Sequence, residues 1–231
     1  MQKLDPGNIP THVAFIMDGN RRWAKQKGLE KFEGHKKGYS NIEATVKAAM
    51  DLGVKYVTFW ALSTDNIKER EKSELLGLFK LIRIGFNKDF PRMMKNGVQV
   101  RVFGESTNLP LDIKKTITKI QKTVVKNPKI YLNIAFNYGG KKELIHAIKR
   151  MVKEGGKVDE AQVEKHLYTY PHPDPDLIVR SGGKIRTSGF LIWQGTYAEW
   201  YFTDLYWPDF DKKQLEKAII WFQNQARNFG A

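Results

Sequence analysis

Short apolar runs alternate with longer amphipathic segments along the whole chain. The short runs are rich in β-branched and aromatic residues, and several are apolar at every position, as expected for strands that helices cover on both faces. This alternation predicts an α/β fold with a mostly parallel six-stranded sheet covered by helices. The predicted strands are Val13–Met17, Tyr56–Leu62, Val98–Phe103, Ile130–Phe136, Leu177–Val179 and Phe190–Trp193. The predicted helices are Lys36–Asp51, Lys72–Met94, Leu111–Lys126, Lys141–Lys153, Val158–Tyr168 and Lys212–Asn228.

One segment, Ser63–Glu74, departs from this pattern because it is dominated by charged and hydroxyl residues without periodicity. We interpret it as a mobile loop beside the carboxyl edge of the sheet. No internal repeat and no linker divides the sequence, which predicts a single domain over residues 1–231.

The charge balance of the chain is strongly basic. It has 39 Lys and Arg residues against 25 Asp and Glu, a formal net charge of +14 at pH 7. Such a surplus favours polyanionic partners, among them nucleic acid, anionic lipid and diphosphates. The sequence contains no recognised nucleic-acid motif, so we expect no nucleic-acid partner.

The absence of cysteine excludes a disulfide framework and a thiolate zinc site. A metal in this protein is therefore expected to be a hard cation with oxygen ligands. No apolar run approaches the roughly 20 residues that span a bilayer. We expect a cytoplasmic protein whose membrane contact, if any, is peripheral.

Candidate chemistry follows the first predicted strand directly, where ligands of open α/β sheets bind. Asp18 could hold a hard cation, and Gly19 lets the backbone approach a phosphate. Asn20 and the guanidinium groups of Arg21 and Arg22 come next, and such groups suit phosphate oxygens. Taken alone, these residues are more typical of a solvated Asp-Gly turn.

Polar residues also follow the second predicted strand. Ser63, Thr64, Asp65 and Asn66 could orient a substrate or relay a proton, although the same residues commonly cap a helix. His35 lies at the start of a predicted helix, where it could donate to a phosphate or act as a packing residue.

The densest polar stretch follows the fifth predicted strand. Residues Arg180–Gly189 include three cations, three hydroxyls and three glycines, a composition that favours a loop around a diphosphate over a solvated surface turn. The spacing of a Walker loop is absent. Further on, Glu199 lies among aromatic residues and needs a partner, either a metal ion or an arginine.

Together these motifs resemble the undecaprenyl diphosphate synthase family of cis-prenyltransferases, over about residues 9–230. The motifs are HVAFIMDGNRRW at His12–Trp23, GHKKG at Gly34–Gly38, LNIAFNYGG at Leu132–Gly140, DLIVRSGG at Asp176–Gly183 and FLIWQGTYAEWYFTDLYWPDF at Phe190–Phe210. The resemblance implies a homodimeric enzyme that adds isopentenyl diphosphate to an allylic diphosphate in the Z configuration, and a hydrophobic tunnel beneath the sheet for the product.

The resemblance also implies roles for individual residues. Asp18 would act with Mg2+ on the allylic diphosphate, Glu199 would support the metal, and Asn66 would take part in proton removal. The allylic diphosphate would lie among Gly19, Asn20, Arg21, Arg22, Lys31 and His35, with Trp23 packed nearby. Isopentenyl diphosphate would lie against Arg180, Arg186 and Ser188 in a site partly shared between subunits, and Thr187, Ser63, Thr64 and Asp65 would be further substrate-binding residues.

Some positions depart from the family pattern. Ile67 stands where an aromatic residue usually follows the asparagine, Lys68–Arg70 replaces a segment that usually carries Arg-Pro, and Lys31 replaces a common arginine. Lys184 and Ile185 replace an acidic residue and a histidine. These changes keep alternatives open: coupling of two allylic units, another prenyl acceptor, or a non-catalytic partner subunit, although such subunits usually lack the aspartate at Asp18.

Overall fold

The computed structural model describes residues 3–107, 109–155 and 157–226. Its six strands are β1 His12–Ile16, β2 Tyr56–Ser63, β3 Val98–Phe103, β4 Ile130–Tyr138, β5 Leu177–Arg180 and β6 Glu199–Phe202. They form one sheet in the order β3-β4-β2-β1-β5-β6, and each of the pairings is parallel. The α/β class and the six-stranded sheet are therefore confirmed, with a sheet that is wholly parallel.

Helices connect the successive strands from β1 to β5, and a long series of turns connects β5 to β6. The helices are α1 Asn20–Gln26, α2 Lys31–Asp51, α3 Thr64–Glu69, α4 Lys72–Ile84, α5 Phe90–Lys95, α6 Leu111–Lys122, α7 Gly140–Glu154, α8 Glu160–His166 and α9 Lys212–Gln223. A π-helical turn, Gly85–Asp89, joins α4 to α5, and a short 3-10 helix spans Trp207–Asp209. None of the described helices is long and apolar enough to cross a bilayer.

Strand β1 lies in the middle of the core. All five of its residues are buried, because successive side chains point to opposite faces of the sheet and both faces are covered. Phe15 packs into the larger core, where its ring stacks on Phe59 with 4.8 Å between centroids. Ala14 and Ile16 pack into a smaller core on the other face. The central strand therefore holds the loop after it on a rigid base.

The predicted strand Phe190–Trp193 is wrong, since these residues lie in a series of turns and the sixth strand is β6. Leu191 has a φ of 44°, which a strand does not tolerate. Phe190 is completely buried and stacks on Trp60 with 5.0 Å between centroids. The apolar run thus reflects burial in the smaller core rather than strand pairing.

The predicted loop Ser63–Glu74 is also wrong, because it contains α3 and the first turn of α4. The Ser63 side chain caps α3 by accepting a hydrogen bond of 3.0 Å from the Asn66 amide. Short-range capping therefore formed a helix that periodicity could not reveal.

Helix boundaries differ from the predictions at several ends. Helix α2 begins at Lys31 rather than Lys36, because Gly34 serves close packing rather than ending the helix: a Cβ there would lie 2.1 Å from the carbonyl oxygen of Asn20. Helices α6 and α8 end earlier than predicted, at Lys122 and His166. The predicted end of the last helix, at residue 228, falls outside the described residues.

Candidate active site

The carboxyl ends of three adjacent strands define the candidate site. Strand β1 lies between β2 and β5, so the residues that follow these strands meet at one edge of the sheet. Asp18 lies two residues beyond β1, Ser63 ends β2 and Arg180 ends β5. The chain order of the strands reverses here, which is where ligands of open parallel sheets bind.

Asp18 lies between two guanidinium groups. Its Oδ1 accepts a hydrogen bond of 3.0 Å from Arg22, and its Oδ2 accepts one of 3.1 Å from Arg180. The backbone oxygen of Asp18 accepts from the Ser181 hydroxyl at 2.8 Å and from the Trp207 amide at 3.0 Å. The carboxylate is thus held by Arg22 in the first turn of α1 and by Arg180 at the end of β5.

Gly19 gives the turn after Asp18 its shape. Its φ is 104°, in the left-handed region, and a Cβ there would lie 2.6 Å from the ring of Tyr206. Arg22 lies over the face of the same ring, 5.2 Å from its centroid. This turn therefore requires glycine on both conformational and steric grounds.

Arg180 ties the β5 loop to the β1 loop. Its side chain is 4% exposed, and it donates to the carbonyl oxygen of Arg186 and to the Ser188 hydroxyl, the latter at 2.8 Å. Its Nε has no hydrogen-bond partner among the described residues. A buried guanidinium with a free donor has unused capacity to bind an anion.

The first of two adjoining pockets has a volume of about 630 Å³. Cations dominate its lining and outnumber the two carboxylates, Asp18 and Glu30. The cationic residues are Arg21, Arg22, Lys25, Lys31, Arg70, Lys184 and Arg186. Gly19, Asn20 and His35 line it as well. The charge and size of this pocket suit a diphosphate.

The second pocket has a volume of about 410 Å³ and lies on the β2 and β5 side of Asp18. Its polar lining includes Ser63, Asp65, Asn66, Arg180 and Ser188, and its apolar lining includes Trp60, Leu62 and Leu78. The two pockets share Met17, Asp18, Asn20, His35, Arg70 and Arg186. Two ligands bound in these pockets would therefore meet at Asp18.

A chain of hydrogen bonds crosses from one pocket to the other. Arg70 Nε donates to Asn66 Oδ1 at 2.7 Å, and Arg70 Nη1 donates to Glu74 Oε1 at 2.7 Å. The same Glu74 oxygen lies 2.9 Å from His35 Nε2. Sequence reasoning missed Arg70 and Glu74 as functional candidates. The four-residue spacing of positions 66, 70 and 74 was not a sufficient signal, because Arg70 has an extended backbone between α3 and α4 and the three groups do not share one helix.

Burial and charge set the protonation states of the residues in this hydrogen-bond network. Burial lowers the pKa of His35, so its imidazole is neutral near pH 7. Burial alone would raise the pKa of Glu74, but the hydrogen bond to His35 and the positive charges of Arg70 and Arg21 bring that pKa below its ordinary value. Glu74 is thus an anion that holds His35 and two arginines in place.

Three predicted residues lie apart from both pockets. The Trp23 indole donates to Asp209 at 2.8 Å, Thr64 is buried against Gly139, and Thr187 lines neither pocket. Each of them is instead in the supporting structure around the site.

Glu199 also lies far from Asp18 in space within one subunit. It starts β6 and pairs in register with Leu177, whereas Phe202, three residues later, pairs with Arg180 at the end of β5. A strand rises about 3.3 Å per residue, so Glu199 lies about 10 Å from the site edge along the sheet. Its role at a metal stays a prediction.

Asp18 is the carboxylate that the two pockets share, and it is the candidate metal ligand. No group of three or more Asp, Glu or His side chains among the described residues is arranged to hold a metal. Mg2+ commonly binds one or two carboxylates together with substrate phosphates and water, so the Asp18 carboxylate beside a diphosphate-sized pocket fits that ion.

Comparison with known proteins agrees with this geometry. Residues 16–230 match the Prenyltransf family model, which describes undecaprenyl diphosphate synthases. The isoprenyl transferase of Fusobacterium nucleatum is 42% identical over 96% of this chain and 96% of its own length. That of Bacillus subtilis is 41% identical over 97% of this chain and 88% of its own length.

Two solved structures are similar throughout. Lavandulyl diphosphate synthase from Lavandula x intermedia, in complex with dimethylallyl diphosphate, has a TM-score of 0.89 and 32% identity, covering 97% of this chain and 100% of that one. A probable undecaprenyl diphosphate synthase from Campylobacter jejuni has a TM-score of 0.81 and 28% identity, with 100% of both chains covered.

The fold, the cationic first pocket and the comparisons thus define an enzyme of the prenyltransferase class. More specifically, the chain belongs to the undecaprenyl diphosphate synthase family. It is a cis-prenyltransferase, an enzyme that condenses isopentenyl diphosphate onto an allylic diphosphate, and the predicted class and reaction are confirmed.

Proposed function

We propose that the first pocket binds the allylic diphosphate and the second binds isopentenyl diphosphate. The observation that carries this proposal is the position of Asp18, which lies where the pockets meet and is paired with Arg22 and Arg180. The cations of the first pocket suit the diphosphate that leaves during the reaction, since they stabilise negative charge as it develops. Arg180, Arg186 and Ser188 would hold the second diphosphate.

The reaction breaks the allylic C–O bond, and the leaving diphosphate takes the electron pair. The double bond of isopentenyl diphosphate attacks the resulting allylic carbon, and loss of a proton forms the new Z double bond. Asn66 lies in the second pocket, where its amide is held by Ser63 and Arg70, in a position suited to orient the group that takes this proton.

Magnesium belongs to the same proposal. Asp18 would hold the ion together with oxygens of the allylic diphosphate. When bound, the ion neutralises charge on the leaving diphosphate. Arg22 and Arg180 would meanwhile keep the carboxylate oriented through the hydrogen bonds described above.

The predicted tunnel for the product also belongs to this proposal. The second pocket is lined by Leu62 and Leu78, and a small cavity of about 130 Å³ lies further along α2, between Ile42, Phe90 and Met93. These apolar groups lie on the side of the sheet where α2, α4 and α5 pack. Burial of each product CH2 there would contribute about 0.8 kcal/mol.

We further propose that residues 1–231 act as a single domain and that two copies form a homodimer. We also propose that the protein lies in the cytoplasm, in peripheral contact with membranes. On α7, Ile145, Ile148 and Val152 recur at helical spacing and are 53%, 53% and 74% exposed, as expected for a face that a second subunit covers. Light scattering coupled to size exclusion would give a monomer mass if the dimer is wrong. Cell fractionation tests the location.

The central experiment incubates the protein with farnesyl diphosphate, labelled isopentenyl diphosphate and Mg2+, followed by mass analysis of the products. We expect label in products longer by whole isoprene units, with loss of turnover when the ion is chelated. Label that stays in unreacted isopentenyl diphosphate would contradict elongation. A product formed from the allylic diphosphate alone would indicate allylic coupling instead.

A further inference from the structure

A second basic surface lies at the other end of the sheet, away from the candidate active site. It is a cleft of about 740 Å³ at the amino end of β3, between α2, the end of α5 and the segment after α6. Four lysines line it, Lys47, Lys95, Lys126 and Lys129, around an apolar floor that includes Val46 and Met93. We call this surface the lysine cleft.

The positive charge of the lysine cleft is not compensated locally. Its one lining carboxylate, Glu43, accepts two hydrogen bonds from Arg92, at 2.7 and 2.6 Å. Among residues 3–107, 109–155 and 157–226, no ion pair involves any of the four lysines. The cleft therefore presents charge to an external anion rather than to the protein itself.

An exposed apolar residue stands beside these lysines. Val124 is 84% exposed and lies between Lys122 and Lys126 in sequence. The segment is anchored on β3, because Gln99 accepts a hydrogen bond of 2.8 Å from the Val125 amide and donates one of 3.1 Å to the Thr123 carbonyl. Val124 is thus exposed on a segment whose backbone is hydrogen-bonded to β3 on both sides of this residue.

The lysine cleft also lies at the far end of the product path proposed above, followed along α2 from the active site. Along α2, His35 lines the two site pockets, Tyr39 and Ile42 line the small cavity, and Met50 lines the cleft. The small cavity and the cleft share Glu43 and Met93. A helix rises 1.5 Å per residue, so the path from position 35 to position 50 covers about 22 Å.

We propose that the lysine cleft, together with Val124, docks on an anionic lipid bilayer and places the far end of the product path against that bilayer. This inference rests on the membrane contact proposed above and identifies the surface that makes it. Lysine side chains attract anionic headgroups, and an outward apolar side chain enters the headgroup boundary. The arrangement is suited to a long apolar product, which is insoluble in water and needs a lipid phase.

The test is cosedimentation of the full chain, without substrate, with vesicles of phosphatidylcholine alone or of phosphatidylcholine and phosphatidylglycerol in a 3:1 ratio. We expect binding to the anionic vesicles and its loss at high salt. Each lysine near such a surface strengthens the binding to it about fivefold. Four such factors multiply to about 600-fold, so the quadruple variant Lys47→Gln/Lys95→Gln/Lys126→Gln/Lys129→Gln should bind more weakly by a factor between about 10 and about 600.

A matched control removes the same charge elsewhere, from four exposed lysines of α7, α8 and α9: Lys153→Gln/Lys165→Gln/Lys213→Gln/Lys217→Gln. It should bind vesicles nearly as the parent does, and Val124→Ser should weaken binding without any change of charge. Both quadruple variants should retain elongation of farnesyl diphosphate in detergent, which shows that they are folded.

An equal loss of vesicle binding in the two quadruple variants would overturn the assignment of this surface. Unchanged vesicle binding of the cleft variant would overturn it as well. Absence of vesicle binding by the parent would overturn membrane contact itself, while the elongation assay stays a separate test of the enzyme. If the parent binds duplex DNA but no vesicles, and the cleft variant loses that DNA binding, the surface serves nucleic acid and the proposal fails.

Discussion

Replacing Asp18 with asparagine separates its chemical role from its structural role. Asparagine keeps the shape of the side chain and can still accept from one arginine, but it loses the charge that pairs with Arg22 and Arg180 and that would hold Mg2+. Loss of one preorganised electrostatic group at a reacting centre typically costs 10²–10³ in kcat. With loss of the metal ligand added, we expect kcat to fall by at least about 10³.

The structural cost of this change should be small. Removing one partner of a buried ion pair costs about 3–5 kcal/mol, but solvent screens a partly exposed pair strongly. The side chain of Asp18 is 30% exposed, so we expect a loss nearer to about 1 kcal/mol. For a chain of this size that loss lowers Tm by about 2–4 °C.

The assay combines initial rates of labelled isopentenyl diphosphate incorporation at saturating substrate with thermal unfolding of the same preparations. Asp112→Asn is the matched control, since it removes an exposed carboxylate bound to Arg83 at 2.6 Å and lines neither site pocket. The control should turn over like the parent. Turnover of Asp18→Asn within about tenfold of the parent would refute the metal and leaving-group role.

Three further predictions follow from the site and the core. Arg180→Ala should raise the KM for isopentenyl diphosphate by a factor at least about ten times larger than the factor by which it raises the KM for the allylic diphosphate. Equal fold increases would contradict the assignment of the pockets. Gly34→Ala should lower both Tm and turnover, because the added Cβ would lie 2.1 Å from the Asn20 carbonyl oxygen in the turn that carries Asp18; an unchanged Tm would show that α1 moves freely. Burial lowers the pKa of His12 and of His172 to about 4, so the unfolded chain binds more protons than the folded chain between pH 6.5 and about 4. The free energy of unfolding should therefore fall as pH falls through that window, by about 3 kcal/mol for His12. A His172→Gln variant whose Tm depends equally steeply on pH would contradict this.

Periodicity and composition were sufficient for the sheet but not for every element. Five of the six strands were predicted from short runs rich in β-branched and aromatic residues. Strand β1 is buried at every position, whereas β3 alternates between buried and half-buried residues over most of its length. The sixth was misplaced, since burial of Phe190 in the smaller core produces the same apolar signal as a strand. Capping by Ser63 formed α3 where no periodicity existed.

The candidate site was predictable where a residue directly follows a strand. Asp18 and Arg180 were found in this way, because parallel strands bring their carboxyl ends to one edge. Arg70 and Glu74 were missed, because their place beside His35 depends on the packing of α4 against α2, which the sequence does not state. The position of Glu199 depends on strand register, which is likewise settled only by packing.

The turn after β1 is completed by residues near the other end of the chain. Trp207 donates its amide to the Asp18 carbonyl and its indole to Gly38 at 2.7 Å, while Tyr206 closes the space beside Gly19. During synthesis the turn that carries Asp18 therefore emerges long before the groups that shape it. A nascent chain cannot form the candidate active site until position 207 has left the ribosome, so we expect premature termination anywhere before it to yield an inactive polypeptide.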